Sequence, residues 1–137
     1  MANKKVKGIL IDVLNNDCRI EEISYDTDDK NYLNAYYNML QCDVFDITNR
    51  TIGEHRYDIY VDDEGLLKSG QKPSVLTFDD DNRIVEVLVG NAFVCSHNDE
   101  GDTISLTDEQ IHEVQCYVQR VRLTRIEEPR IVLLAHL

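Results

Sequence analysis

The chain has 137 residues, 42% of them hydrophobic, and a formal net charge of −12 from 26 acids against 14 Lys and Arg. This length and apolar content exclude a disordered chain and point to one domain, able to bury roughly two-thirds of its unfolded surface without metal or disulfide. The charge is uneven: between Gly8 and Gln119 there are 24 acids and 7 bases, which disfavours direct nucleic-acid binding by the acidic body.

Lys4, Lys5 and Lys7 open the chain and are followed by an apolar run that Asp12 breaks. That run is too short for a signal-peptide core or a membrane span, so the expectation is a cytoplasmic protein of a bacterial host cell with no membrane contact. Val6 to Val13 is apolar on both faces and reads as an interior strand. Asn15-Asn16-Asp17 turns the chain, and Cys18 to Ser24 returns as a hairpin partner.

Thr27 or Asp28 is the expected N-cap of a helix over Asp29 to Gln41, because Leu33, Tyr36, Tyr37 and Leu40 make an apolar stripe at i, i+3, i+4 and i+7. Val44 to Thr48 reads as a short strand and Asn49 to Gly53 as a loop. In the next strand, Tyr57, Ile59 and Val61 alternate with Asp58, Tyr60 and Asp62. Asp63-Glu64-Gly65 then turns the chain, leaving Asp62, Asp63 and Glu64 outside, and Leu66-Leu67 return to the core.

Lys68 to Pro73 is a surface connection. Ser74 to Phe78 and Ile84 to Val89 read as a hairpin around Asp79-Asp80-Asp81-Asn82, with Asn82 suited to a left-handed turn position. The near-continuous apolar run at Ile84 to Val89 also fits a helical turn. Gly90-Asn91 is a turn before a strand over Ala92 to Cys95, and Asn98 to Asp102 is a loop. Thr107 with Gln110 makes a capping box, and Leu106 with Ile111 a hydrophobic staple, so a helix is expected from Asp108 to about Arg120. Pro129 precedes a last strand, Arg130 to Leu134, expected at a sheet edge where a second copy could pair and form a homodimer.

No arrangement of residues specifies a reaction. Four acidic clusters lie in turns: Asp26 to Asp29, Asp62 to Glu64, Asp79 to Asp81, and Asp99 to Asp102. None has the alternating oxygen ligands, central Gly and terminal Glu of a calcium loop. The cysteines, Cys18, Cys42, Cys95 and Cys116, lack CxxC spacing and read as reduced, mostly buried thiols. Cys95 and His97 share a strand face, which is at most half of a zinc site. Gly-rich phosphate loops are absent. The expectation is no catalytic residue, no metal and no cofactor.

Three segments carry a resemblance: Asp58 to Leu67, Val89 to Val94, and Gly101 to Ile111. In that order and spacing they resemble a small uncharacterised domain carried by phages, plasmids and conjugative elements of Gram-positive bacteria, catalogued as a domain of unknown function. The resemblance covers about Asp29 to Val118 and implies a mobile-element accessory protein, without implying any catalytic residue.

These readings give an α+β domain: a mostly antiparallel, twisted sheet of five to seven strands with two helices packed on one face. The leading functional expectation is a non-enzymatic accessory or inhibitor protein. Its Asp62, Asp63, Glu64, Asp79, Asp80 and Asp81 would meet a basic host protein, such as a nuclease or DNA-binding defence protein. The alternative is a small-ligand-binding module, nucleotide-like in specificity and oligomeric in form, built on the tyrosines of the first helix with Tyr57 and Tyr60.

Overall fold

A computed structural model describes residues 3–65, 70–125 and 128–137. The leading strands are β1 (Asn3–Asp12) and β2 (Asp17–Asp26), followed by helix α1 (Asn34–Leu40) and strands β3 (Phe45–Ile52) and β4 (His55–Asp62). Next come β5 (Pro73–Phe78), β6 (Ile84–Val89), β7 (Ala92–His97) and the short β8 (Thr103–Ile104). Helix α2 (Asp108–Cys116), β9 (Val118–Val121) and β10 (Arg130–His136) complete the described elements.

One sheet contains all ten strands, in the order β2-β1-β7-β4-β3-β10-β5-β6, with β8 on β7 and β9 on β10. It is therefore larger than the five to seven strands expected. It is also mixed, because β10 runs parallel to β5 while the other pairs are antiparallel. The terminal strand is interior: Leu133 pairs with both Val75 and Val118, and His136 reaches Thr51. Its expected role as an edge for a second copy is thereby removed.

Alternation on the central strands builds two cores. Ile9 and Ile11 of β1, Tyr57, Ile59 and Val61 of β4, and Ala92 and Val94 of β7 pack with Ile111 and Val114 of α2. The alternate residues Val6, Leu10, Tyr60, Phe93 and Cys95 pack with Tyr36 and Leu40 of α1. The helices thus cover opposite faces of the sheet, not one. The second core is largely aromatic: Tyr36 stacks on Tyr60 at 5.0 Å, and Phe45 lies 5.5 Å from both.

Three element boundaries differ from the sequence reading, each for a local reason. The first helix starts at Asn34, without a side-chain cap, because Asp26 and Asp29 use their carboxylates on the backbone N–H groups of Asp28 and Asn31 and hold the chain in successive turns. Residues 49–52 continue β3, and the turn is tightened to Gly53-Glu54, with Gly53 at φ +66°. The second helix stops at Cys116, and Val118 to Val121 form β9 instead, so Arg120 does not lie on a helix end. The capping box of α2 is present in both directions, between Thr107 and Gln110 at 3.2 and 2.8 Å. The hairpin turns at Asn16 and Asn82 take the left-handed conformation, and Ile84 to Val89 is a strand. Leu66 and Leu67, expected to re-enter the core, lie outside the described residues.

Gly8 allows β1 and β7 to pair closely: a Cβ there would stand 2.1 Å from the Val94 carbonyl oxygen and 2.8 Å from the Phe93 ring. Gly8→Ala is expected to lower stability by about 2–3 kcal/mol, because backbone must move. Gly101→Ala, with open space but φ +86°, is expected to cost about 1 kcal/mol. Urea unfolding of the two variants checks the order.

Candidate functional site

The two acidic groups expected to meet a partner are built by turn chemistry. Asp62 ends β4, is only 6% exposed, and accepts the Glu64 backbone N–H at 2.9 Å. Its expected place outside is corrected: it shapes the turn, and Asp63 and Glu64 are the exposed members. Asp79 likewise accepts from the backbone N–H groups of Asp81 and Arg83, at 2.9 and 3.0 Å, leaving Asp80 and Asp81 exposed. The Asp63 N–H donates to the Val44 carbonyl at 3.0 Å, which brings Asp43 and Asp46 alongside the first group.

The two groups do not merge. Asp62 and Asp63 line a small cleft of about 130 Å³ with Val87, Leu88 and Val89, at the C-terminal end of β6. Asp79 to Asp81 form the turn that leads into the N-terminal end of the same strand. Six extended residues separate them, roughly 20 Å.

Four arginines are bound elsewhere. Arg19 holds Asp12, Asp17 and Glu21 at 2.9–3.0 Å. Arg50 grips Glu86 with two bonds, at 2.7 and 3.1 Å. Arg56 is spent on Asn49 and Thr51, and the buried Arg130 donates to the Val13 carbonyl. Among the described residues no ion pair neutralises Asp63, Glu64, Asp79, Asp80 or Asp81.

Two polar constellations were not legible in the sequence. Asp58, 8% exposed, accepts from Asn49 at 2.9 Å and contacts His97 Nδ1 at 2.7 Å. The partner of His97 is therefore this carboxylate and not Cys95, which is buried. Among the described residues no three His, Cys, Asp or Glu side chains converge to hold a metal ion. Burial pushes the Cys95 thiol up, and burial with Asp17 nearby pushes Cys18 up to about 11, so both thiols are held protonated. Cys42 is also buried, whereas Cys116 is exposed.

The other constellation lies beside α2. Glu113 accepts from the Tyr57 hydroxyl at 2.6 Å, contacts His55 Nδ1 at 2.8 Å, and accepts from the Glu54 backbone N–H at 3.2 Å. These groups line a cleft of about 380 Å³ with Thr107, Glu109 and Gln110. Strand alternation does place His55 and Tyr57 on one face, but nothing local indicates that Glu113 meets them. Partial burial works to raise the Glu113 carboxyl, and the bonds from Tyr57 and His55 outweigh it, leaving the group below its ordinary value. Burial, with Glu113 as acceptor, pushes the Tyr57 hydroxyl up.

A carboxylate depressed by folding stabilises the protein above its unfolded value and loses that contribution as pH falls through the folded value. Glu86, held by Arg50, and Asp12 are depressed too. Stability is therefore expected to fall as pH drops below the ordinary carboxyl value of 4.5. In Glu113→Gln the fall should be shallower, while at neutral pH the variant should be less stable than the parent. Thermal melts across pH 3–7 check both.

A family model described as a domain of unknown function (DUF3846) matches residues 6–120. It takes in the first hairpin, which the sequence resemblance left outside. No curated protein and no solved structure matches the chain.

Proposed function

Because this chain belongs to the DUF3846 family, whose description assigns no activity, we propose a function from its own surface: a non-enzymatic accessory protein that binds a basic protein through its acidic turns. The carrying observation is that, among the described residues, no ion pair neutralises Asp63, Glu64, Asp79, Asp80 or Asp81, while Arg19, Arg50, Arg56 and Arg130 are bound inside other networks. Leaving like charges together costs stability through self-repulsion, and a basic partner relieves that cost on binding. The resemblance to mobile-element proteins directs the proposal to a bacterial cytoplasm and to a host nuclease or DNA-binding defence protein as the class of partner, with inhibition by occupation of its basic groove. No described helix is long and apolar enough to cross a membrane.

A second reading is favoured by one cleft. Lys4, Tyr25, Tyr32, Asp102 and Thr103 are among the residues lining about 290 Å³, with the two tyrosine rings 5.6 Å apart. A flat aromatic ligand bearing a negative charge, nucleotide-like in chemistry, suits a tyrosine face beside an ammonium group. Tyr57 and Tyr60, first assigned to such a site, are core residues. Stabilisation in a nucleotide thermal-shift screen would support this reading, and loss of it in Tyr32→Ala would place the ligand here.

The leading proposal expects capture of a basic bacterial protein at about 50 mM salt, where screening is weak, and its release at about 1 M. The variant carrying Asp63→Asn, Glu64→Gln, Asp80→Asn and Asp81→Asn should melt no lower than the parent and bind at least about tenfold more weakly. Undiminished capture by that variant would refute the assignment.

A further inference from the structure

Besides the short β8 and β9, the described sheet ends in two longer outer strands, β2 and β6, and they are treated differently. β2 carries Asp17, Arg19, Glu21, Glu22 and Asp26, charges of the kind that discourage another chain from pairing. β6, Ile84-Val85-Glu86-Val87-Leu88-Val89, has neither Lys nor Pro, and its one charge is bound by Arg50. Among the described residues its one strand partner is β5; its Ile84 end is open, while at the other end Val89 lies against Gly65 and Val87 to Val89 face Val61, Asp62 and Asp63 across the small cleft. Ile84 is 52% and Val85 49% exposed. An apolar strand with one side of its backbone unpaired is a template for another strand.

The surrounding charge selects the occupant. Asp79 to Asp81 stand at the Ile84 end, against Arg83 alone. Asp62, Asp63 and Asp46 stand at the Val89 end, where among the described residues Lys72 is a nearby cation, its carbonyl accepting from the Gly90 N–H. A second copy pairing antiparallel would set one acidic end over the other, and a parallel pairing would set each over itself. Both arrangements oppose like charges, which disfavours self-pairing.

We propose that β6 docks an extended segment of a partner protein by strand addition, the segment having an apolar, alternating centre and Lys or Arg at both ends. This rests on the acidic-surface reading and names its recognition element: backbone pairing supplies affinity, and the two acidic ends, roughly 20 Å apart, select basic residues spaced across about six positions.

The test uses the full chain and a ten-residue peptide of alternating valine and threonine with two lysines at each end. Controls are the same peptide ended by glutamates and a lysine-ended glycine–serine peptide. Fluorescence anisotropy at low salt should show the lysine-ended valine–threonine peptide binding at least about tenfold more tightly than either control. Deuterium exchange should slow across Ile84–Val89 on binding, and Val85→Lys should weaken binding without shifting the melting temperature. Equal binding of the lysine-ended glycine–serine peptide, with no protection of β6, would overturn strand addition while leaving the acidic-surface reading standing. Failure of both lysine-ended peptides to bind would overturn the two together. Concentration-dependent protection of β6 in the protein alone would assign the edge to a second copy and overturn the proposal.

Discussion

Two helices of seven and nine residues, roughly 10 and 14 Å long, cannot cover both faces of a ten-stranded sheet. The rest of the structure follows from that shortage. β1, β4 and β7 are buried on both faces, so each face needs a cover. On one face α2 is joined by inward side chains of the sheet itself, Val75, Leu133 and Ala135, which share a core with Ile9 and Ile59. On the other, α1 brings Tyr36 and Leu40 down onto Tyr60 and Phe93. The close pairing that Gly8 permits between β1 and β7 keeps these two cores back to back.

The same economy shows in the charges. Three arginines are placed where they satisfy a carboxylate or carbonyl of the fold: Arg19 at the β1–β2 turn, Arg50 across to Glu86, Arg130 at Val13. The acidic side chains in excess fall into two uses. The Asp62 and Asp79 carboxylates hold turns by accepting backbone N–H groups, and Asp63, Glu64, Asp80 and Asp81 project from those turns with no ion pair among the described residues. Fold and surface are thus built by adjacent residues of the same type, and the exposed members can be changed without loss of the turn.

Local signals were legible and non-local ones were not. The two-sided apolar run of β1 announced an interior strand, the Thr107 capping box announced α2, and Asn82 announced the β5–β6 turn. The start of α1 was misplaced because Asp26 and Asp29 serve turns as readily as they cap helices. The end of α2 was overrun because Val118 and Val121 fit a helical stripe and a strand equally well, and only pairing with β10 decides. The interior place of β10 and the burial of Asp62 depend on strands far apart in sequence, as do the Asp58–His97 and Glu113–Tyr57 contacts. The acidic residues of the candidate surface could be named in advance, but their separation to opposite ends of β6 could not.

Among the described residues β6 has a strand partner on one side only, while β1, β4 and β7 are paired on both sides. Residue-resolved native-state deuterium exchange at neutral pH tests it directly. The account predicts the slowest exchange at Ile9, Leu10, Ile59, Phe93 and Val94, and exchange orders of magnitude faster at the outward-facing amides of Ile84 to Val89. Protection across every amide of β6, equal to that of β1 and β7, would contradict it.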